Sequence, residues 1–455
     1  MFKKILIANR GEIAVRVIMA CRELGIKTVA VYSEDDEDSP HRRFADDHVL
    51  IGAESTDSYL NMPVIISAAE STGVDAIYPG YGFLSETTYF AEVCAARQIG
   101  FIGPDLRVAR LLGDKAHART VMGNAGLPIL PGSDGLVDDV DSALRVADAI
   151  GYPVVIKPAV GAGGRGIQIV RAASELRDAW CQARQEAEAA FANGDLYIEK
   201  YLENPRHIEF QVIADHHGHV VHLGERECSI QRGHQKLVEE SPSPSLTEEA
   251  RHRMSSLVVA AARTIGYTNA GTFEFLVDAD GGFYYMETNA RLQLEHAVTE
   301  VVTGVDIVKE QIRIAAGEPL SISQEAVKPT GHAIACRVNA EDPDTFAPSP
   351  GQIDVFYVVG GPGVRVDSLA CSACTISTRY DSMVAKIIAH GQTRQEAIAR
   401  MRRTLEMTAV EGIKTLLPLH LAILNDPDFQ AGYVNASFMD RFTSKRELRT
   451  IPETA

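Results

Sequence analysis

The chain reads as a multidomain protein of mixed α/β and α+β class, on three observations. The first hundred residues alternate short apolar strands with amphipathic helices. A Gly-rich segment further on has a strand on either side. Beyond it a strand–turn–strand unit carries a row of polar side chains. At 455 residues the chain exceeds one ordinary core, so two or three domains are expected. Hydrophobic content of 45% with 23% charged residues describes a soluble globular protein. A net charge of −17 excludes non-specific nucleic-acid binding while leaving room for a local basic pocket. Seven cysteines in so long a chain do not make a disulfide framework and suit a reducing compartment. Cys371 and Cys374 form a lone C-x-x-C with no second pair or nearby His, so neither metal nor redox use is assigned to them. The opening apolar run ends at Asn9, too short for a signal peptide. No run approaches the ~18 apolar residues of a membrane span, and a cytoplasmic location with no membrane partner is expected.

The elements follow in order. Residues 5–8 are apolar, and the next segment repeats apolar positions with helical period up to Gly25. Residues 27–33 read as a strand, 63–72 as a helix and 75–79 as a strand. This alternation predicts a parallel sheet covered by helices over residues 1–112. The first turn, N-R-G-E-I-A, lacks the G-x-G-x-x-G of a dinucleotide site. Residues 113–128 read as a helix ending at Gly126. Strands at 153–158 and 167–170 flank the Gly-rich A-V-G-A-G-G-R-G (159–166), which predicts a hairpin flap rather than the strand–loop–helix of a Walker A site. A helix over 174–193 and a strand over 195–202 follow. Then G-T-F-E-F-L-V (271–277), D-A-D-G-G (278–282) and F-Y-Y-M-E (283–287) read as strand, turn and strand. A third unit opens near Gly331 with H-A-I-A-C-R-V-N-A (332–340) and closes on a helix over about 392–409. The polar tail beyond Thr443 is expected to fray.

Glu287, Asn289, Arg291, Gln293 and Glu295 stand at strict two-residue spacing. On an extended segment all five line one face. The ordered acid–amide–base series suits an anion plus a cation better than a merely solvated strand face. With a turn centred between Asp280 and Gly281, Glu274 falls opposite Glu287. Two carboxylates about 5 Å apart repel by roughly 3 kcal/mol at an effective dielectric of 20, and like charges directly opposed destabilise a hairpin. Mg²⁺ held through carboxylate and amide oxygens is the natural resolution. Glycines 161, 163, 164 and 166 would let backbone N–H groups approach phosphates, with Lys115 and Lys157 adding charge; a mobile surface loop is the bland alternative. The stretch 225–236 gathers Arg226, Gln231, Arg232, His234 and Lys236 and reads as an anion site or a solvated loop. Arg337, amid apolar neighbours, needs a partner, whether a structural carboxylate or a bound anion.

Ten further segments, in order, carry a resemblance across residues 1–445. They include I-A-N-R-G-E-I-A (7–14), Y-P-G-Y-G-F-L-S-E (78–86), F-I-G-P (101–104), G-D-K (113–115) and E-K-Y-L-E-N-P-R-H-I-E (199–209). The others are Q-R-G-H-Q-K (231–236), G-T-F-E-F-L (271–276), R-L-Q-L-E-H (291–296), R-V-N-A-E-D-P (337–343) and Y-D-S-M-V-A-K (380–386). With these the chain resembles the biotin carboxylases, enzymes of the ATP-grasp superfamily.

The resemblance implies a Rossmann-like N-terminal domain (1–112) and an ATP-grasp domain (113–330) with a glycine-rich lid at about 130–203. A biotin carboxylase C-terminal domain (331–445) and a tail (446–455) complete it. It further implies ATP-dependent carboxylation of biotin from bicarbonate through carboxyphosphate. ATP would meet Glu199, Lys200, Leu202, His207 and Gln231 at its adenine. Lys115, Lys157, Gly163, Gly164, Gly166 and His234 would meet its phosphates. Glu274, Glu287 and Asn289 would ligate Mg²⁺ or Mn²⁺, two ions being expected. Lys236, Arg291, Gln293 and the Leu294 backbone would grip bicarbonate, Glu295 would act as its base, and Arg337 would stabilise the biotin anion, with Tyr81 beside the biotin. The chain carries no A-M-K-M-type biotinylation site and no carboxyl-transfer domain, so a biotin carboxyl carrier protein and carboxyltransferase on separate chains are expected partners, as is a homodimer. Ala159, Val160 and Ala162 stand where the family has Ser or Gly, and Gly233 where arginine is common. Thr288, Ala290 and Ala297 replace Met, Thr and Pro. These departures point to a paralogue serving a less usual carboxylase than the acetyl-CoA enzyme of fatty acid biosynthesis. The competing readings are another ATP-grasp carboxylate–amine ligase and an inactive nucleotide-binding subunit; the joint presence of Arg291, Gln293, Glu295, Lys236 and Arg337 speaks against both.

Overall fold

A computed structural model describes residues 1–52, 57–160, 165–233 and 235–450. Its first sheet contains β1 (Lys4–Ile7), β2 (Lys27–Tyr32), β3 (Asp47–Leu50), β4 (Ala76–Tyr78) and β5 (Gly100–Phe101). All neighbours are parallel, in the order β3-β2-β1-β4-β5. β1 and β4 are almost wholly buried apolar runs, as a sheet covered on both faces requires. The helix Gly11–Glu23 follows β1. Asn9, just before it, donates to the carbonyls of Pro79 (2.7 Å) and Tyr81 (2.8 Å). Gly80 allows this: its φ is +69°, and a Cβ there would stand 2.8 Å from Asn9 Nδ2.

β6 (Val154–Pro158), β7 (Gln168–Val170) and β8 (Leu196–Lys200) form a separate three-stranded sheet with β6 central. β6 and β7 pair antiparallel, as the hairpin reading predicts. This sheet packs on the helices Val140–Ile150 and Leu176–Phe191 through its own core, centred on Ile156, Trp180 and Ile198.

The largest sheet is antiparallel and eight-stranded. It takes β9 (Arg206–Ala214), β10 (Val220–Arg232), β11 (Gln235–Ser241), β12 (Asn269–Val277), β13 (Phe283–Asn289) and β14 (His332–Asn339). Two short ribbons, β15 (Gly351–Gln352) and β16 (Val355–Tyr357), precede its last members, β17 (Val364–Ser368) and, after β18 (Thr375–Ile376), β19 (Met383–Gly391). β20 (Ala409–Glu411) pairs with β16, and β15 with β18. The order β13-β12-β9-β10-β11-β14-β19-β17 carries the sheet past residue 331 through the β11–β14 pairing. One buried cluster, including Ile5, Ile13, Ile213, Leu223 and Leu292, joins it to the first sheet. The segment before β19 also clasps that sheet: Arg10 stacks 3.9 Å over the Tyr380 ring, whose hydroxyl bonds Ser33 Oγ at 2.7 Å. No helix among the described residues is long and apolar enough to cross a membrane.

Several expectations need correction. The helix expected over 113–128 is present as Lys115–Asn124, capped by Asp114 through His117 N–H, and a separate helix, Leu106–Gly113, precedes it. The helix expected over 392–409 is Arg394–Glu406. The helix Phe438–Thr450 runs through Thr443. Cys371 and Cys374 are joined by a disulfide, their Cα atoms 5.4 Å apart. The turn between them, with Cys374 N–H on the Cys371 carbonyl and Ala373 at φ +70°, brings the pair within bridging reach.

Candidate active site

β12 and β13 place Glu274 directly opposite Glu287. The register is reached differently from the sequence reading. The pairs Val277–Phe283, Leu276–Tyr284 and Phe275–Tyr285 centre the turn on Asp280, and a bulge between Phe275 and Glu274 inserts Met286 and restores the facing. β13 ends at Asn289. The ribbon of five is therefore not extended to its end: residues 290–295 turn back before the helix His296–Thr303. The turn keeps the polar groups together. Asn289 Nδ2 (2.6 Å) and Gln293 Nε2 both donate to Glu274 Oε1, and Arg291 donates to Asn289 Oδ1 at 3.1 Å and to Glu86 at 2.5 Å.

Glu274 is buried. His207 Nε2 lies 2.7 Å from its Oε2, and Lys236 Nζ lies 3.5 Å from Oε1. Burial raises its pKa, but Lys236 and His207 outweigh burial and hold the carboxyl well below the usual range. Gln231 bonds His207 Nδ1 at 2.8 Å. Glu287 is half-buried and takes one cation, Lys115, at 2.6 Å. Two facing carboxylates with the Asn289 amide beside Glu274, its Oδ1 held by Arg291, supply the hard oxygens that Mg²⁺ or Mn²⁺ takes.

Lys157 does not stand free on the flap. Its Nζ reaches Glu199 Oε2 at 2.5 Å, and Arg119 Nε holds the other oxygen at 2.9 Å. Lys200 Nζ caps the carbonyls of Gly151 and Tyr152, both at 2.9 Å. Leu202 follows half-buried after β8. Tyr197 is buried, and after burial the carboxylates of Glu199 and Glu287 raise its pKa most. Gly166 is left-handed, at φ +74°. Gly163, Gly164 and His234, expected at the phosphates, lie outside the described residues.

Glu295 caps the turn at the other end. Lys236 bonds it and Glu209 Oε2 (2.5 Å), while Arg337 reaches Glu295 Oε2 at 3.2 Å and also bonds Glu239. Burial pushes the Glu295 pKa up. Lys236, Arg337 and Arg226 overcome this and hold it well below the usual range. The same carboxylates raise Lys236 and Arg337 against burial. The groups close enough to share an ion here, His207–Glu209–Glu274 and Glu209–Cys228–Glu295, already hold their cations in Lys236 and Arg226. Among the described residues, neither the Leu294 nor the Glu295 N–H donates to another group. Tyr81 OH donates to Glu12.

The sequence reading missed Glu209 and Glu12, and it took Arg226 for a candidate anion ligand. Arg226 is fully buried. It bonds Glu209 (2.5 Å), Gln211 (2.8 Å), Thr299 (2.9 Å), Thr272 and Gln293 (3.1 Å each). The available signal was a cross-strand one: Arg226 and Glu209 sit opposite each other on β10 and β9.

Comparison with known proteins agrees along the whole chain. Residues 1–108 match the biotin carboxylase N-terminal domain. Residues 114–323 match the ATP binding domain of the carbamoyl-phosphate synthase L chain, and residues 335–441 the biotin carboxylase C-terminal domain. The chain is 53% identical to the biotin carboxylase of Haemophilus influenzae over 97% of its length and 99% of that protein. A biotin carboxylase–β,γ-ATP complex from Campylobacter jejuni superposes with a TM-score of 0.95 at 47% identity, covering 97% of this chain and 99% of that one. The biotin carboxylase domain dimer of Hydrogenobacter thermophilus 2-oxoglutarate carboxylase, solved with MgADP, ADP and bicarbonate, gives 0.94 at 51% identity, covering 97% and 98%.

Proposed function

The chain belongs to the biotin carboxylase family, and on that premise we propose that it is the ATP-grasp ligase that carboxylates carrier-borne biotin from ATP and bicarbonate. ATP spans the cleft between the three-stranded and eight-stranded sheets. Glu199, Lys200, Leu202, His207 and Gln231 surround the adenine. Lys115 and Lys157, with Gly163, Gly164, Gly166 and His234, meet the phosphates. Glu274, Glu287 and Asn289 hold Mg²⁺ or Mn²⁺, which neutralises charge at the transferred phosphoryl.

Bicarbonate is a weak nucleophile beside a repelling anion. Lys236, Arg291, Gln293 and the Leu294 backbone offset its charge and fix its orientation. Glu295 takes its proton. Lys236 is shared among Glu209, Glu274 and Glu295, so an arriving anion draws it away from Glu295 and makes that carboxylate a stronger base. A bicarbonate oxygen attacks the γ-phosphorus, the bond to ADP breaks, and carboxyphosphate decomposes to CO₂ and phosphate. Phosphate removes the biotin N1 proton, Arg337 stabilises the enolate-like oxygen, and the nitrogen attacks CO₂. Tyr81 lines the biotin side of the cleft. The carboxyl group then leaves with a biotin carboxyl carrier protein for a carboxyltransferase, and two copies of the chain associate as a homodimer.

The observation that carries this reading is a buried Glu295 carboxylate held between Lys236 and Arg337, beside N–H groups that no other described residue accepts from. The test is ADP release measured against bicarbonate, with and without free biotin. Bicarbonate-dependent release that rises with biotin is expected. Robust release indifferent to both would overturn the assignment in favour of another ATP-grasp ligase.

A further inference from the structure

Lys386 is one of the largest fully buried side chains in the molecule, with no exposed surface, and the chemistry above does not use it. It stands on β19 directly opposite Arg337 on β14 and opposite Asp367 on β17. Facing residues of paired strands project to the same side of the sheet, so two basic groups are neighbours in the interior. Like charges so placed are unfavourable, and an apolar residue would fit the sheet better unless the nitrogen serves a partner. Its shortest contact is not to a carboxylate. Nζ donates to the Leu294 carbonyl at 2.7 Å, with Glu12 Oε1 at 3.3 Å and Asp367 Oδ2 at 3.7 Å.

That carbonyl belongs to the peptide joining Leu294 to Glu295. A trans peptide is planar, with its C=O and N–H antiparallel. A carbonyl drawn inward to Lys386 therefore turns the Glu295 N–H outward. Among the described residues that N–H has no acceptor, and it lies beside the carboxylate of Glu295. The adjoining His296 ring is fixed as well, Nδ1 bonding the Gln293 carbonyl at 2.7 Å, so the turn is held from both sides.

We infer that Lys386 is a positioning residue for the carboxylation reaction: by holding the Leu294 carbonyl, it aims the Glu295 N–H at the bicarbonate oxygens. The inference rests on the bicarbonate site proposed above. Lys386 touches no substrate and acts only through this peptide. Glu12 Oε1 also accepts the Tyr81 hydroxyl, so the same nitrogen braces the biotin side of the cleft.

The test is Lys386→Met in the full chain, with Lys386→Gln as a second variant that keeps an N–H donor. Bicarbonate-dependent ADP release is measured while bicarbonate and ATP are varied separately, with circular dichroism and thermal melting alongside. In a Met variant that folds like the parent, the KM for bicarbonate is expected to rise at least tenfold while the KM for ATP stays within twofold. Lys386→Gln is expected to recover part of the loss. Should the Met variant not fold, the Gln variant is judged by the same split. An unchanged bicarbonate KM, equal rises in both KM values, or failure of both variants to fold would each overturn the inference in favour of a purely structural lysine. A parent enzyme whose ADP release ignores bicarbonate would instead sink the bicarbonate site itself.

Discussion

The two ends of the cleft balance their charge in opposite ways. At the hairpin end, Glu274 and Glu287 face each other from paired strands, and Glu287 takes one half-exposed lysine. At the turn end, Glu295 sits between Lys236 and Arg337. Beneath it Arg226 satisfies Glu209 and Gln293 from full burial. On the proposed reading, a divalent cation arriving with the nucleotide completes the first end, where Glu274 already has His207 and Lys236 beside it and Glu287 has Lys115. The second is neutralised by the protein's own side chains before any ligand binds. On that reading, cation demand is built into a strand ladder, and anion reception into a prepaid cationic network.

Breaking the network should have the largest effect. Arg226→Met leaves Glu209 buried without its guanidinium and is expected to cost about 3–5 kcal/mol of stability, read by urea denaturation. A loss below about 1 kcal/mol, the range of surface pairs, would erase the distinction between the two ends. Next comes Glu295→Gln, which should cut turnover by 10²-fold or more, on the order of a lost general base, with nucleotide affinity near that of the parent. Unchanged turnover would remove Glu295 from its role.

Glu274→Gln sharpens the comparison from the hairpin side. It should weaken metal-dependent nucleotide binding by roughly tenfold in a Mg²⁺ titration; equal metal affinity would defeat the opposed-carboxylate argument. The same variant has an acid signature. A carboxyl held below its unfolded pKa adds stability that is present above about pH 4.3 and is lost as pH falls through the folded value. Relative to neutral pH, the parent should therefore lose melting temperature faster below about pH 4.3 than Glu274→Gln.

How legible these regions were in the sequence follows from the range of the interactions. Alternation of strand and helix is a local signal, and the parallel first sheet and the flap hairpin follow from it. The facing of Glu274 and Glu287 is also local, but its turn is centred half a residue off: the bulge at Met286 leaves no mark in residue type. The stripe from Glu287 to Glu295 keeps its company without keeping its geometry, because Asn289 and Gln293 can reach one carboxylate from a strand end and from a turn alike. What stayed hidden is what joins distant strands. The partnership of Lys157 with Glu199 depends on which strands lie side by side. A single sequence does not state strand order, whereas Arg226 and Glu209, on the consecutive strands β10 and β9, were within reach of a register argument.

The clasp of Tyr380 onto Arg10 and Ser33 has a consequence for biosynthesis. The two halves of that contact leave the ribosome on the order of tens of seconds apart at ordinary elongation rates. Until then the first sheet must wait with its cleft wall unbraced, so nascent chains arrested before residue 380 should offer that surface to chaperones and proteases, while released full-length chains should not.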